Sequence, residues 1–205
     1  MTIVYTVARM NPPTLGHVSL IENMMEKALK HNVKKIHIIL SSKVDDKKNP
    51  LDPYDKKYLL EIWGIPRAKT DLVLRLPHHA EAIEQLAVNI MLTHEYSRHF
   101  PNDVFGTVQE LLLGRTRGEK VFFMTGERGF PVDKGIEVTL LDRTKTPISG
   151  TMVREAASVS YEAFCSHYPD LDDNELEWMY EAIAPPDSKT SIQSHRYALR
   201  SYGPL

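Results

Sequence analysis

Apolar and polar positions fall into blocks along this chain, and each block has the period of a strand or of a helix. Residues 2–9, TIVYTVAR, are short, apolar and β-branched, as a strand buried on both faces should be. From Gly16 the period changes: Leu20, Ile21, Met24, Met25, Ala28 and Leu29 recur at helical spacing. KIHIIL at 35–40 predicts a second strand, and a polar loop then runs to Pro50. A helix is predicted over 52–64, opened by Asp52 with a proline in its first turn and closed by Gly64. LVLRL at 72–76 is predicted as the third strand.

Two helices are predicted next. One over 80–97 places Ala80, Ile83, Leu86, Ala87 and Ile90 on one face, and one over 103–113 does the same with Val104, Val108, Leu111 and Leu112. KVFFMTG at 120–126 and IEVTLL at 136–141 predict strands four and five. Beyond Pro147 the pattern is helical. Tyr161, Phe164, Cys165 and Tyr168 form one stripe, and Leu176, Met179, Tyr180 and Ile183 another, and both read as core. Strands and helices alternating in this way predict an α/β fold: Rossmann-like, doubly wound, with a five-stranded, mostly parallel sheet and additional C-terminal helices. One domain is expected over 1–184, its helical C-terminal part at about 149–184, followed by a polar tail at 185–205.

Composition narrows the class. The 205 residues suffice for one domain with a sizeable core. No stretch approaches the roughly 20 apolar residues of a membrane helix, and MTIVYTVAR lacks the features of a signal peptide. No membrane partner and a cytoplasmic location are therefore expected. The single cysteine, Cys165, excludes an internal disulfide and a multi-cysteine metal cage. A net charge of −2 gives no general field for nucleic acid, so no such partner is expected. KVDDKK (43–48) and LDRTKT (141–146) are basic and DLDDNELE (170–177) is acidic; runs of this kind are usually solvated surface. His94 and His99 lack ligand-type neighbours at metal spacing, and His78-His79 read as surface. Neither G-x-x-x-x-G-K-[ST] nor G-x-G-x-x-G occurs, which argues against a P-loop enzyme and a dinucleotide dehydrogenase.

Two turns carry the candidate chemistry. MNPPTLGHVSL (10–20) leads from the end of the first strand into a helix start, where backbone N–H groups and the helix dipole attract anions. Arg9, Met10 and Asn11 enter this turn, Gly16 removes a side chain where a phosphate would approach, and Thr14 and His17 offer hydrogen bonds to phosphate oxygens. TPISGTMVREA (146–156) is a second loop entering a helix, with Ser149, Gly150 and Thr151 at its start and Arg154 three residues beyond Thr151 on the same face. Hydroxyls, N–H groups and a guanidinium fork suit a triphosphate. Each turn also has a plain reading, a capped helix with exposed side chains. Two such turns in one alternating fold favour a site.

NPPTLGH together with ISGTMVR resembles the nucleotidylyltransferase superfamily, whose members carry H/T-x-G-H after the first strand and I-S-x-T-x-x-R near the C-terminal helix. Within it, SSKVDDKKNPLDPYDKKYLL, VFFMTGER and ISGTMVREA resemble a compact group of adenylyl- and cytidylyltransferase-like proteins, many from phages, related to nicotinamide mononucleotide adenylyltransferases. The likeness extends over about residues 1–168. It implies transfer of a nucleoside monophosphate from a triphosphate to the phosphate of a small acceptor, with release of pyrophosphate and no covalent enzyme intermediate. It also implies that His17 binds the α-phosphate, that Thr14 binds the phosphates, and that Ser149, Thr151 and Arg154 hold the β- and γ-phosphates. Mg²⁺ would arrive with the nucleotide. Thr14, His17 and Arg154 are the implied catalytic set; Arg9, Met10, Asn11, Gly16, Ser149, Gly150 and Thr151 the nucleotide contacts.

The chain departs from the family pattern at Ala8 and Met10, where relatives often carry glycine and an aromatic residue. It departs again at Glu127, after Gly126, where many relatives have aspartate, a difference that bears on the acceptor more than on the triphosphate. Lys43, in the loop after the second strand, can reach phosphate or acceptor, as can Lys47 and Lys48. The expected reaction is AMP transfer from ATP, with nicotinamide or nicotinate mononucleotide as acceptor. The alternatives are a cytidylyltransferase using CTP and a phosphorylated alcohol, and a nucleotide-binding protein without turnover. Assembly with copies of itself stays open.

Overall fold

The computed structural model describes residues 2–45, 48–96, 100, 102–115, 118–127, 129–142 and 147–186. Its centre is a five-stranded sheet in the order β3-β2-β1-β4-β5, formed by Ile3–Ala8 (β1), Lys35–Leu40 (β2), Ala87–Leu92 (β3), Val121–Thr125 (β4) and Ile136–Leu140 (β5). All four pairings are parallel. The chain is a Rossmann-like α/β protein. The helices are α1 (Leu15–Lys30), α2 (Pro53–Leu59), α3 (Ile65–Arg75), α4 (Ala80–Gln85), α5 (Thr93–Tyr96), α6 (Val104–Leu112), α7 (Gly150–Val159), α8 (Tyr161–Cys165) and α9 (Asp173–Ile183).

Side chains alternate across the sheet, so each strand feeds two cores. Val4, Ile36, Ile38 and Phe122 join the larger core, with Ile21, Met25, Leu72, Phe164 and Tyr180. Ile3, Tyr5, Ile39 and Phe123 face the other way, against Val108, Leu111 and Leu112 of α6. The two stripes predicted in the C-terminal part enter the larger core, although Cys165 is only half-buried. Burial pushes the Cys165 thiol up, as suits a packing residue rather than a nucleophile. No helix among the described residues is long and apolar enough to cross a membrane.

Three predicted elements differ from the structure. The predicted strand at 72–76 is the end of α3: Leu72 is buried while Leu74 is 77% exposed, which a strand placing both on one face would not give. The third strand is instead β3, inside the predicted helix over 80–97, which divides into α4, β3 and α5. Val88 and Ile90 pair across to Ile36 and Ile38, so strand pairing outweighs the helical spacing of the same apolar residues. Gly64 does not end the helix predicted over 52–64, because a π-helical turn at Leu60–Gly64 leads directly into α3. Pro66 has no N–H to give the carbonyl four residues before it, and a wider turn ahead of it accommodates that loss.

Candidate functional site

The order of strands makes the gap between β1 and β4 the topological switch point, where open α/β sheets place their ligands. Here the gap has a visible cause. β1 pairs with β4 only from Ile3↔Val121 to Tyr5↔Phe123, although the two strands run on to Ala8 and Thr125. Beyond Tyr5 they part. The buried Thr6 hydroxyl takes over a main-chain role by donating to the Met124 carbonyl at 2.7 Å. The opening is a cavity of about 690 Å³ lined from both sides, by Ala8, Arg9 and Met10 after β1 and by Thr125, Gly126 and Glu127 after β4.

The first turn is held by its neighbours. Met10 is buried with φ +44, a left-handed conformation costing a non-glycine residue about 1–3 kcal/mol, so the surroundings must impose it. Asn11 is buried and bonds both main-chain groups of Leu51: its Nδ2 donates to the carbonyl at 2.8 Å and its Oδ1 accepts the N–H at 3.0 Å. The peptide bond that follows, Asn11–Pro12, is cis. Tyr168 Oη donates to the Pro13 carbonyl at 2.6 Å.

At the start of α1, the Thr14 N–H donates to His17 Nδ1 at 3.0 Å. That contact makes Nδ1 the acceptor, so the ring's own N–H sits on Nε2. His17 is half-buried and lines both the main cavity and a second one of about 150 Å³, whose walls include Thr14, Gly16, Leu141, Asp142 and Ile148. Thr14 is itself buried. Its Oγ1 lies 2.9 Å from His17 Nδ1 and donates to the Ile148 carbonyl at 3.3 Å. Its main service is therefore to orient the histidine and join the two turns.

The second turn meets the first. Ser149 caps α7, its Oγ accepting the Met152 N–H at 3.3 Å. Arg154 Nη1 donates to the Asn11 carbonyl at 2.5 Å, and Nη2 to Thr151 Oγ1 at 3.1 Å. Two of five guanidinium donors are thus committed to aiming the group. Gly150 permits the approach: a Cβ there would lie 3.1 Å from both Arg154 Nη1 and the Asn11 carbonyl oxygen. Desolvation lowers the Arg154 pKa, with Asp45 and Glu155 opposing the shift and Arg9 adding to it.

Of the sequence candidates, Arg9, Met10, Asn11, His17, Gly126, Glu127, Ser149, Gly150, Thr151 and Arg154 all line the main cavity, while Thr14 and Gly16 line the smaller one. Lys43 lines neither. It is exposed and 4.0 Å from Asp45. Lys48 lines the cavity in its place, and Lys47 lies outside the described residues. Arg143 and Lys145 of the second basic run, His99, and the tail from residue 187 also lie outside them. Among the described residues neither Arg9 nor Lys48 forms an ion pair, and with Arg154 they place three cationic side chains on the cavity wall beside Glu127 and Glu155. His94 joins a clasp instead of a metal site: Nδ1 lies 2.7 Å from Ser42 Oγ and Nε2 3.2 Å from Tyr54 Oη.

Sequence reasoning missed Thr6, Asn49, Leu51 and Glu155. Leu51 touches the site only through its main chain, which no side-chain motif reports. Among the described residues no group of three His, Cys, Asp or Glu side chains is arranged to hold a metal ion. No protein-family model matches this chain, and no curated protein matches it.

Proposed function

We propose that this protein is a nucleotidylyltransferase, moving a nucleoside monophosphate from a nucleoside triphosphate to the phosphate of a small acceptor. One observation carries the reading. The β1–α1 turn and the start of α7 are joined by Arg154 and Asn11 around a histidine whose Nε2 is the N–H donor, in a cavity also lined by Arg9 and Lys48. Such a cavity suits polyphosphate. The resemblance of NPPTLGH and ISGTMVR to the nucleotidylyltransferase superfamily supports the same chemistry.

The reaction needs positioning and charge stabilisation rather than a nucleophile from the protein. An oxygen of the acceptor phosphate attacks the α-phosphorus in line. A bond forms there as the bond to the bridging oxygen of the β-phosphate breaks, and pyrophosphate leaves with that electron pair. His17 Nε2–H donates to an α-phosphate oxygen as charge grows on it. Arg154, Thr151 and the N–H groups at the start of α7 hold the β- and γ-phosphates and then the departing pyrophosphate. Arg9 and Lys48 complete the charge balance. The smaller cavity beyond His17, walled by Gly16, Leu141 and Ile148, suits a planar base. Mg²⁺ would come with the triphosphate rather than be held by the protein, and would supply further neutralisation of the phosphate charge. ATP is the first donor to test, and nicotinamide or nicotinate mononucleotide the first acceptors.

The test is pyrophosphate release with Mg²⁺, offering ATP or CTP against those mononucleotides and a set of phosphorylated alcohols. Release with one donor–acceptor pair, and none without the acceptor, is expected. Nucleotide binding with no release across the panel would favour a binding protein, and no binding would overturn the proposal.

A further inference from the structure

Lys56, on α2, is fully buried, although lysine is among the residues least often enclosed. Its Nζ donates to the carbonyl of Ser41, the first residue after β2. Desolvation lowers its pKa to about 8, and Asp52, one turn earlier, opposes that shift. A methionine of similar volume would fill the space without desolvating a charge. What the ammonium adds is a directional tether.

The tether lies at the base of the segment that reaches the cavity. Ser41 N–H donates to the Ala8 carbonyl at 3.1 Å, and Ser42 N–H to Thr93 Oγ1 at 2.9 Å. At the far end Leu51 is held by Asn11. Between these anchors the Asp45 carboxylate accepts the Lys48 N–H at 2.6 Å and Asn49 Nδ2 at 2.5 Å, while the Asp45 and Asn49 main chains bond each other at 2.9 and 3.2 Å. This folded turn carries Lys48 and the buried Asn49 to the cavity wall.

We infer that Lys56 is a positioning residue for anion binding: by tethering the Ser41 carbonyl it steadies the Asp45–Asn49 pairing and so aims Lys48 at phosphate in the main cavity. The inference rests on the polyphosphate reading of that cavity, and its test separates the two. Amide hydrogen exchange in the absence of ligand reads the tether; calorimetric binding of pyrophosphate reads the aim. Lys56→Met should raise exchange at Asp45, Lys48 and Asn49 about tenfold while leaving β1 unchanged, as loss of a charged hydrogen bond allows. Lys56→Met and Lys48→Met should each weaken pyrophosphate about tenfold, and the double variant should bind no worse than Lys48→Met alone, since one residue acts through the other. Lys56→Arg, which keeps a charged donor, should restore affinity to within about twofold. Should Lys56→Met not fold, Lys56→Leu, which likewise has no donor for the Ser41 carbonyl, carries the same comparison.

Unchanged exchange at Asp45, Lys48 and Asn49 would overturn the tether, and additive losses in the double variant would overturn its action through Lys48. If wild type fails to bind pyrophosphate while Lys56→Met still loosens the segment, the polyphosphate reading falls and the tether stands.

Discussion

Replacing Asn11 with alanine is the sharpest perturbation of the site's framework. The side chain is 4% exposed and makes a two-way hydrogen bond with the main chain of Leu51, forty residues away. Alanine leaves the Leu51 N–H and carbonyl without those partners, and a buried polar group left unpaired costs about 1–3 kcal/mol. The pair therefore sets a range of about 2–6 kcal/mol. Asn11 also lines the cavity, so water can reach part of the vacated space, and the lower end applies: about 2–3 kcal/mol. Against a typical domain stability of about 5–15 kcal/mol this is a large loss that should still leave a folded protein. Urea unfolding would read it as a midpoint lowered by about 1 M at unchanged slope. Asn11→Asp keeps the acceptor for the Leu51 N–H but turns a carboxylate oxygen toward the Leu51 carbonyl. It should be as unstable at neutral pH and recover as the solution is acidified and the carboxyl gains a proton to donate. An Asn11→Ala midpoint within error of wild type would refute the reasoning, because the turn would then not depend on this pair.

Further outcomes follow from single contacts. Burial holds Lys56 near pKa 8 in the folded chain against 10.5 ordinarily, so between those pH values the unfolded chain binds more protons and stability rises with pH. Relative to Lys56→Met, wild type should gain about 3 kcal/mol from pH 7 to 11, at about 1.36 kcal/mol per pH unit; parallel stability curves for the two proteins would contradict the burial argument. Gly150→Ala places a Cβ 3.1 Å from both the Asn11 carbonyl oxygen and Arg154 Nη1, so it should weaken Mg·ATP binding about tenfold or more as the two turns separate; unchanged binding would show that the approach is not needed. Arg154→Lys keeps a charge but loses the fork that joins Asn11 and Thr151. It should weaken Mg·ATP by about 1.5–3 kcal/mol, and wild-type affinity in this variant would remove Arg154 from the phosphate contacts.

The sequence carried some of this directly. β1, α1, β2 and β4 were legible because each buries apolar positions whose period matches its backbone, as Ile36, Ile38 and Leu40 do in β2; β5 was legible from its β-branched run alone, since Val138 and Leu140 stay exposed at the sheet edge. β3 was not. Leu86, Ala87 and Ile90 fit a helix as well as a strand over so short a run, and only pairing with β2 decides between them. LVLRL misled for the same reason, since Leu72 is buried by α3 and not by a sheet. Most of the candidate site lay in two contiguous turns, so the sequence grouped its members without knowing their separation. What it could not contain is the joining of those turns. The Arg154–Asn11 contact spans 143 residues and the Thr14–Ile148 contact 134, and each depends on the sheet that brings the turns together. Thr6 looked like a strand residue because it is one; its special task arises only where β1 and β4 part. Lys43 and Lys48 were indistinguishable by spacing, and the Asp45–Asn49 turn is what sends Lys48 to the cavity.

The central claim is that the cavity around His17 moves the α-phosphate of a nucleoside triphosphate to an acceptor. The measurement that tests it most directly follows two labels in parallel reactions of the wild-type protein with Mg²⁺ and a competent acceptor. One reaction carries ATP labelled at the α-phosphorus and the other ATP labelled at the γ-phosphorus. The account predicts that the α-label enters the acceptor product, that the γ-label appears in pyrophosphate, and that His17→Ala slows both by about 10²–10³-fold while remaining folded. Release of the γ-label as orthophosphate, or transfer in His17→Ala at the wild-type rate, would contradict it.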